Sequence, residues 1–183
     1  MTDLISIETS RLLLRPYAKD DVDDVLAYCA DEAFSQYLPA VPFPYSRENA
    51  VTFLASTALL DPRVHASWAI EFEGHAIGGI SLRIEPDMQR ASLGYGIGQH
   101  WWGRGITTEA AQAVVAYGFD TLDLERIFAT ADARNIGSQR VMQHLGMKHE
   151  GTLRSHRIAR GERVDEVWYG LLRSERNAST HTA

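Results

Sequence analysis

Two glycines flank an arginine where an alternating stretch gives way to a helical one. Gly103 and Gly105 enclose Arg104, and from Ile106 onward apolar side chains recur at helical spacing. Because glycine has no Cβ, the backbone can turn tightly there and approach a ligand closely. A helix start would add unpaired N–H groups, and the arginine a fixed positive charge. The stretch is therefore a candidate site for a phosphate-bearing ligand, although a plain strand-to-helix turn gives the same pattern.

Asn135 and Ser138 are a second pair of polar side chains whose spacing could serve chemistry. They stand three residues apart at the start of another segment with helical periodicity. On spacing alone, a helix cap followed by a polar first-turn residue is the favoured interpretation. No Ser–His–Asp or Cys–His pattern stands out, and no spacing typical of a metal site, so we expect neither a nucleophilic triad nor a bound metal.

The composition limits the class of protein. The 183 residues suffice for one domain with an ample core, predicted over residues 1–175 with a frayed tail over residues 176–183. A formal net charge of −6 argues against a general nucleic-acid binder. The single cysteine, Cys29, excludes an intrachain disulfide and fits a small core residue. Because no apolar run could span a bilayer and the start lacks a signal-peptide layout, we expect a cytoplasmic protein without a membrane partner.

The elements that must position these residues follow from the apolar pattern. It predicts the order strand, two helices, antiparallel meander, helix, strand, helix, two strands. The predicted strands cover residues 5–16, 68–72, 80–84, 91–97, 126–131, 147–153 and 164–172, and the helices begin near Asp20, Ser46, Arg104 and Asn135. Since a strand–helix–strand unit is a right-handed crossover, the strands on either side of the Arg104 helix should be parallel. The fold class is α/β (or α+β) with a mixed, mostly antiparallel sheet.

Three segments, in this order and spacing, resemble the GNAT superfamily of acetyl-CoA-dependent N-acetyltransferases. They are residues 9–16 (TSRLLLRP), 93–110 (LGYGIGQHWWGRGITTEA) and 135–147 (NIGSQRVMQHLGM). More narrowly, the chain is similar over nearly its whole length to the RimJ/RimL type, the N-terminal acetylases of ribosomal proteins and their relatives. The resemblance implies the GNAT fold, with one parallel pair of strands splayed at the cofactor site and helices flanking the sheet. It also implies acetyl-CoA as co-substrate, no metal, and a primary amine as acceptor in a ternary complex.

The resemblance also implies which residues form the site. In the family's pyrophosphate loop the frame begins at Trp102, the central glycine is Gly105, and the last position is Thr107. Ser138 becomes a candidate catalytic residue that hydrogen-bonds the departing thiolate. The implied cofactor-binding residues are Ile97, Gly98, Trp102, Gly103, Arg104, Gly105, Ile106, Thr107, Thr108, Asn135 and Ser138. Core packing is expected for the Trp102 side chain, whereas Tyr95 could line a groove or fill the core.

The general base and the acceptor stay open. Related enzymes often place a glutamate where this chain has Ser92, and a base after Leu153 is not evident, since a surface role is favoured for His156. The acceptor could be a protein or peptide N-terminus, or a small amine such as a polyamine, amino sugar or antibiotic. A non-catalytic acyl-CoA-binding module is a further alternative. The chain could act as a monomer or a homodimer, and Arg134, Arg140 and Lys148 are the candidates to meet the 3′-phosphate of CoA.

Overall fold

The computed structural model describes residues 4–180, arranged as eight strands and six helices around one central sheet. The strands are β1 (Ile7–Glu8), β2 (Leu13–Arg15), β3 (His65–Phe72), β4 (His75–Glu85), β5 (Arg90–Ile97), β6 (Arg126–Asp132), β7 (Lys148–Ala159) and β8 (Glu162–Leu172). The helices are α1 (Val22–Cys29), α2 (Glu32–Ser35), α3 (Arg47–Thr57), α4 (Ile106–Asp120), α5 (Ile136–His144) and α6 (Arg173–Thr180). No helix among the described residues is long and apolar enough to cross a membrane.

The sheet has the order β1-β2-β3-β4-β5-β6-β8-β7, and its neighbours run antiparallel except for one pair. That pair is β5 and β6, which are parallel and joined through α4. The crossover predicted from the strand–helix–strand pattern is therefore confirmed, and so is the mixed, mostly antiparallel sheet.

Helices cover both faces of the sheet. On one face α4 and α5 bury the main core, in which Trp68, Ile80 and Phe119 are almost fully inaccessible to solvent. On the other face α1, α2 and α3 form a smaller cluster around Val25, and this cluster includes Cys29, the expected core residue. The two faces therefore carry separate apolar layers, and the sheet lies between them.

The strand predicted over residues 5–16 differs from the structure. Two short strands, β1 and β2, pair with each other, and a tight turn joins them. In that turn the Thr9 N–H donates to the Leu12 carbonyl at 3.0 Å, and the Leu12 N–H donates to Thr9 Oγ1 at 3.0 Å. A threonine hydroxyl that accepts a hydrogen bond from a backbone N–H in this way favours a turn over an extended strand. The apolar pattern of residues 5–16 gave no sign of this turn.

The C-terminus also differs from the expected frayed tail. Helix α6 continues to Thr180, so most of residues 176–183 is helical, while residues 181–183 lie outside the described part. Arg176 makes two hydrogen bonds with Asp120, at the end of α4, and Arg173 bonds Asp123 at 2.8 Å. These charged contacts tie a polar helix to the body of the domain, and a search for apolar periodicity does not detect them.

Candidate active site

Strands β5 and β6 pair only at their beginnings and then separate. Residues 90–92 pair with residues 126–128, after which β5 continues along β4 and β6 continues along β8. The side of β5 that faces β6 therefore has no strand partner beyond Ser92. Unpaired backbone groups on such an edge are available to a ligand.

A cleft of about 510 Å³, called the β5–β6 cleft, opens where the two strands separate. Of the residues expected at a cofactor site, six line it: Ile97, Trp102, Gly103, Thr107, Asn135 and Ser138. The remainder of its wall comes mainly from residues 93–96, the end of β6, the segment 33–38, helix α5, and Arg157 on β7. Residues far apart in sequence thus meet in one concave site of the size that small ligands occupy.

The turn before α4 is built on its two glycines. Gly103 has φ +73° and Gly105, the N-cap residue of α4, has φ +74°. These left-handed values favour glycine, because a Cβ would be strained there. Ile106, Thr107 and Thr108 form the first turn, whose N–H groups have no acceptor within the helix. The segment therefore presents unpaired N–H groups at the mouth of the cleft, an arrangement that can bind an anion.

Glu109 clamps this turn to the first residues of the chain. Its carboxylate accepts hydrogen bonds from Thr9 Oγ1 at 2.6 Å, Ser10 Oγ at 2.9 Å, and both the Nε (2.7 Å) and backbone N–H (3.0 Å) of Arg11. Burial opposes ionisation, but the hydrogen bonds from Thr9, Arg11 and Ser10 outweigh it and hold the pKa of Glu109 at about 2. The Arg11 guanidinium also donates to the Arg104 carbonyl at 3.2 and 3.3 Å, which fixes the turn between the two glycines.

Five of the eleven residues expected to bind the cofactor do not line the cleft. The Gly98 N–H donates to the Ile77 carbonyl at 2.9 Å, and the Ile106 side chain is 1% exposed in the core. Arg104 is exposed, with its guanidinium 5.0 Å from the centre of the Trp101 ring. Thr108 is partly buried in the first turn of α4. Gly105 likewise shapes the turn and does not line the cleft itself.

The expectation that Trp102 packs in the core is wrong. Its side chain is among the exposed hydrophobic ones, with 46% exposure, and its indole N–H donates to the Ile97 carbonyl at 2.8 Å. The neighbouring Trp101 packs against the core instead, with its ring 5.3 Å from that of Phe72. Residues 99–101 form a short 3₁₀ turn, and in such a turn neither the strand nor the helix period decides which of two adjacent tryptophans faces inward.

The start of α5 brings two hydroxyl groups together. Asn135 Oδ1 accepts the Ser138 N–H at 3.0 Å, which is the cap that the spacing predicted. The Tyr95 hydroxyl donates to the Ser138 carbonyl at 3.1 Å and lies 2.9 Å from Ser138 Oγ. Burial raises the pKa of Tyr95 to about 12, more than the hydrogen bond with Ser138 lowers it, so the phenol stays protonated at neutral pH. Tyr95, which the sequence left undecided, thus joins β5 to α5 across the cleft.

A second pocket of about 560 Å³, called the aromatic pocket, lies on the α1–α3 face of the sheet. Its floor is made of small residues on β4 and β5, where Gly79 pairs with Gly96 and Ser81 pairs with Gly94. Its aromatic lining consists of Tyr17, Tyr28, Phe34, Tyr45 and Phe53, and Tyr95 borders it from β5 with its hydroxyl directed to α5. Residues 94–96 line both this pocket and the β5–β6 cleft, so the two cavities meet at the middle of β5.

The residues considered as a general base have different surroundings. Ser92 is partly buried at the last paired position of β5. The His156 Nε2 atom lies 3.6 Å from a carboxylate oxygen of Glu166, and the His156 side chain is half exposed. Glu166 is 6% exposed and accepts hydrogen bonds from Thr130 Oγ1 and Trp168 Nε1, both at 3.2 Å. Sequence reasoning overlooked this buried carboxylate, whose one signal is an acidic residue within the apolar stretch of β8.

Two of the basic residues considered for the 3′-phosphate are already paired. Arg134 bonds both oxygens of Asp132, at 3.0 and 2.7 Å, and Lys148 bonds Glu175 at 2.6 Å. Arg140 is exposed on α5. Only Arg134 among the three borders the β5–β6 cleft, so the contact with a phosphate stays a prediction for each of them.

Comparison with known proteins connects this geometry to a family. Residues 11–148 match the acetyltransferase (GNAT) domain family. The chain is 28% identical to the N-acetyltransferase p20 of Bacillus licheniformis, across 93% of this chain and 97% of that protein. It is 31% identical to the N-acetyltransferase YnaD of Bacillus subtilis, across 93% and 99% of the two chains. Neither name states an acceptor.

Two further comparisons carry more specific names. The [ribosomal protein uS5]-alanine N-acetyltransferase of Escherichia coli is 35% identical over 95 residues, which are 52% of this chain and 49% of that protein. Among solved structures, that of RimL, a ribosomal L7/L12 alpha-N-protein acetyltransferase in complex with coenzyme A, superposes with a TM-score of 0.85. It is 21% identical and covers 93% of this chain and 99% of its own, so it supports the fold alone.

Proposed function

Because the chain belongs to the GNAT acetyltransferase family, we propose that it transfers the acetyl group of acetyl-CoA to the α-amine of a protein or peptide N-terminus. The observation that carries this proposal is the meeting of two pockets at residues 94–96. A thioester in the β5–β6 cleft and an amine in the aromatic pocket would approach each other across a single strand.

The β5–β6 cleft fits the parts of acetyl-CoA. The N–H groups at the start of α4, with the glycine turn before them, suit the pyrophosphate. The open edge of β5 suits the amide-bearing pantetheine arm, because unpaired strand N–H and C=O groups can bond it as another strand would. Trp102, Thr107 and Asn135 complete the wall that this ligand would contact.

In the transfer, a bond forms between the amine nitrogen and the acetyl carbon, and the bond between that carbon and sulfur breaks. The amine loses a proton and the departing thiolate gains one. The Ser138 hydroxyl hydrogen-bonds the thiolate, and the protonated phenol of Tyr95, which donates to the Ser138 carbonyl, holds Ser138 in place for this role. Both groups therefore act on the sulfur side of the reaction.

Two arguments favour an α-amine over a lysine side chain. At pH 7.5 about a quarter of an α-amine with a pKa near 8 is neutral, whereas only about one lysine amine in a thousand is neutral. A site with Ser92 where relatives often have a glutamate is better matched to the less basic amine. In addition, one partial relative is named as an alanine N-acetyltransferase of a ribosomal protein.

The test is thiol release from acetyl-CoA with two matched peptides. One peptide has a free N-terminus and an acetylated lysine, and the other has an acetylated N-terminus and a free lysine. We expect turnover with the first alone, rising with pH through the α-amine pKa. Preference for the lysine peptide, or activity confined to spermidine or an amino sugar, would refute the α-amine assignment. CoA binding without turnover on any amine would instead favour a non-catalytic module.

A further inference from the structure

The aromatic pocket contains no side chain that is negatively charged at neutral pH. Its lining includes neither aspartate nor glutamate. The acids that it does contain are tyrosines and one cysteine, and all of them are held in the neutral form. Burial raises the pKa of Tyr17, Tyr28 and Tyr45, and it raises the pKa of Cys29 to about 12.

Arg83 supplies the pocket's one charged side chain. The other basic group in the lining is His65, which lies opposite Arg83 in the β3–β4 register. Burial lowers the pKa of His65, and the nearby Arg83 charge lowers it further, so the imidazole is neutral at pH 7. A chain with a net charge of −6 thus has a pocket whose single formal charge is positive.

The Arg83 guanidinium has no carboxylate partner within the described part of the chain. No carboxylate of residues 4–180 forms an ion pair with it. The nearest acidic residue along β4, Glu85, bonds both Nε (3.1 Å) and Nη2 (2.8 Å) of Arg90 instead. An arginine that lines a pocket without a carboxylate partner is available to an anionic group of a ligand.

The position of Arg83 sets the size of that ligand. Ser81 lies directly opposite Gly94, and Arg83 is two residues further along β4. With the usual strand spacing and rise, the Cα atoms of Gly94 and Arg83 are about 8 Å apart. Between them, small floor residues and aromatic walls leave space for an apolar group about as long as a phenyl ring.

We propose that the aromatic pocket binds the first side chain of the acceptor peptide, and that it selects a bulky apolar group whose far end is anionic over the same group with a cationic end. This inference rests on the proposed function, because it takes the amine to lie at residues 94–96. A polyamine is disfavoured for the same reason: its second ammonium group would meet Arg83 and find no carboxylate in the lining.

The test uses three tripeptides that differ only in the charge at one end of the first side chain. Their first residues are 4-carboxyphenylalanine, 4-methylphenylalanine and 4-aminomethylphenylalanine, each followed by two alanines. Binding to the CoA-saturated protein is measured by calorimetry, which needs no acetyl transfer. We expect the carboxylate peptide to bind at least about tenfold more tightly than the ammonium peptide, with the methyl peptide between them.

Two variants assign the effect to its source. Arg83→Met should remove the advantage of the carboxylate peptide, whereas Arg154→Met, which removes an exposed arginine of β7, should preserve it. The inference would be overturned if the three peptides bound with equal affinity, if the ammonium peptide bound most tightly, or if none of the three bound. It would also be overturned if the order of the three affinities were unchanged in Arg83→Met. Thiol release from acetyl-CoA is measured in parallel with other peptides that have a free N-terminus. Acetyl transfer to those peptides would show that the proposed function holds even where this inference fails.

Discussion

Replacing Glu109 with glutamine tests whether the clamp at the start of the chain holds the glycine turn in place. The carboxylate joins Thr9, Ser10 and Arg11 to the first turn of α4, and Arg11 in turn holds the Arg104 carbonyl. The glutamine side chain has nearly the same shape and keeps one acceptor oxygen. The substitution therefore removes the charge and leaves the packing almost unchanged.

The size of the effect follows from the pKa of Glu109. Lowering it from 4.5 to about 2 corresponds to about 3 kcal/mol of stabilisation of the ionised, folded form. The Glu109 side chain is 17% exposed, but Arg11 is 43% exposed and solvent screens its charge. We therefore expect Glu109→Gln to lower the free energy of unfolding at pH 7 by about 2 kcal/mol.

The same group makes this difference depend on pH. Since the folded pKa lies below the unfolded one, the contribution is fully present above about pH 4.5 and is lost as the pH falls through about 2. Urea unfolding followed by tryptophan fluorescence at pH 7, 4 and 3 should show the gap between wild type and Glu109→Gln narrowing toward acid.

Glu85→Gln is the matched control, because it removes an exposed arginine–glutamate pair in which Glu85 is 46% and Arg90 38% exposed. It should cost between 0 and about 1 kcal/mol. If Glu109→Gln cost no more than this control, or if its cost were the same at pH 7 and pH 3, the carboxylate would not be the clamp described above.

Two further predictions concern the β5–β6 cleft. Gly105→Val should weaken CoA binding tenfold or more by calorimetry, about 1.4 kcal/mol, whereas Gly74→Val, which strains a turn with φ +84° outside the lining of the cleft, should leave the affinity unchanged. Equal loss in both variants would assign the effect to backbone strain in general. Ser138→Ala should lower kcat about tenfold or more with little change in the acceptor KM, and loss of thermal stability without loss of kcat would mean that Ser138 serves the helix start alone.

Four of the six helices and the parallel pair could be predicted because each rests on a regular period. The apolar spacing after Ile106, the cap at Asn135 and the strand–helix–strand order are local signals, and the structure confirms all three. The two tryptophans at residues 101 and 102 could not be assigned in the same way. They lie at the end of a 3₁₀ turn, where their orientations depend on the ring of Phe72, which is distant in sequence, and on a hydrogen bond to the Ile97 carbonyl. No apolar period encodes either contact.

The aromatic pocket was missed because no single segment contains it. Its walls come from residues between Tyr17 and Gly96, which folding brings together around the face of three adjacent strands. The one signal in the sequence is the alternation of small residues, Gly79 and Ser81 on β4 with Gly94 and Gly96 on β5. Within one strand, each pair of small residues indicates only a weakly packed face. The strand register that places the two pairs side by side is visible only in the folded sheet.

The alternation of glycine and tyrosine in the middle of β5 explains how one strand can serve two pockets. Successive side chains point to opposite faces, so residues 94 and 96 face the aromatic pocket while Tyr95 faces α5. A Cβ on Gly96 would lie 3.1 Å from the Phe34 ring, and one on Gly94 would lie 3.4 Å from Ser81 Oγ. In the proposed function, larger side chains would fill the space in which the amine and the thioester meet, whereas the Tyr95 hydroxyl would hold Ser138 on the sulfur side. In that proposal the middle of β5 has no side chains toward the acceptor and a hydroxyl group toward the cofactor, which is the asymmetry that an acyl transfer between two pockets requires.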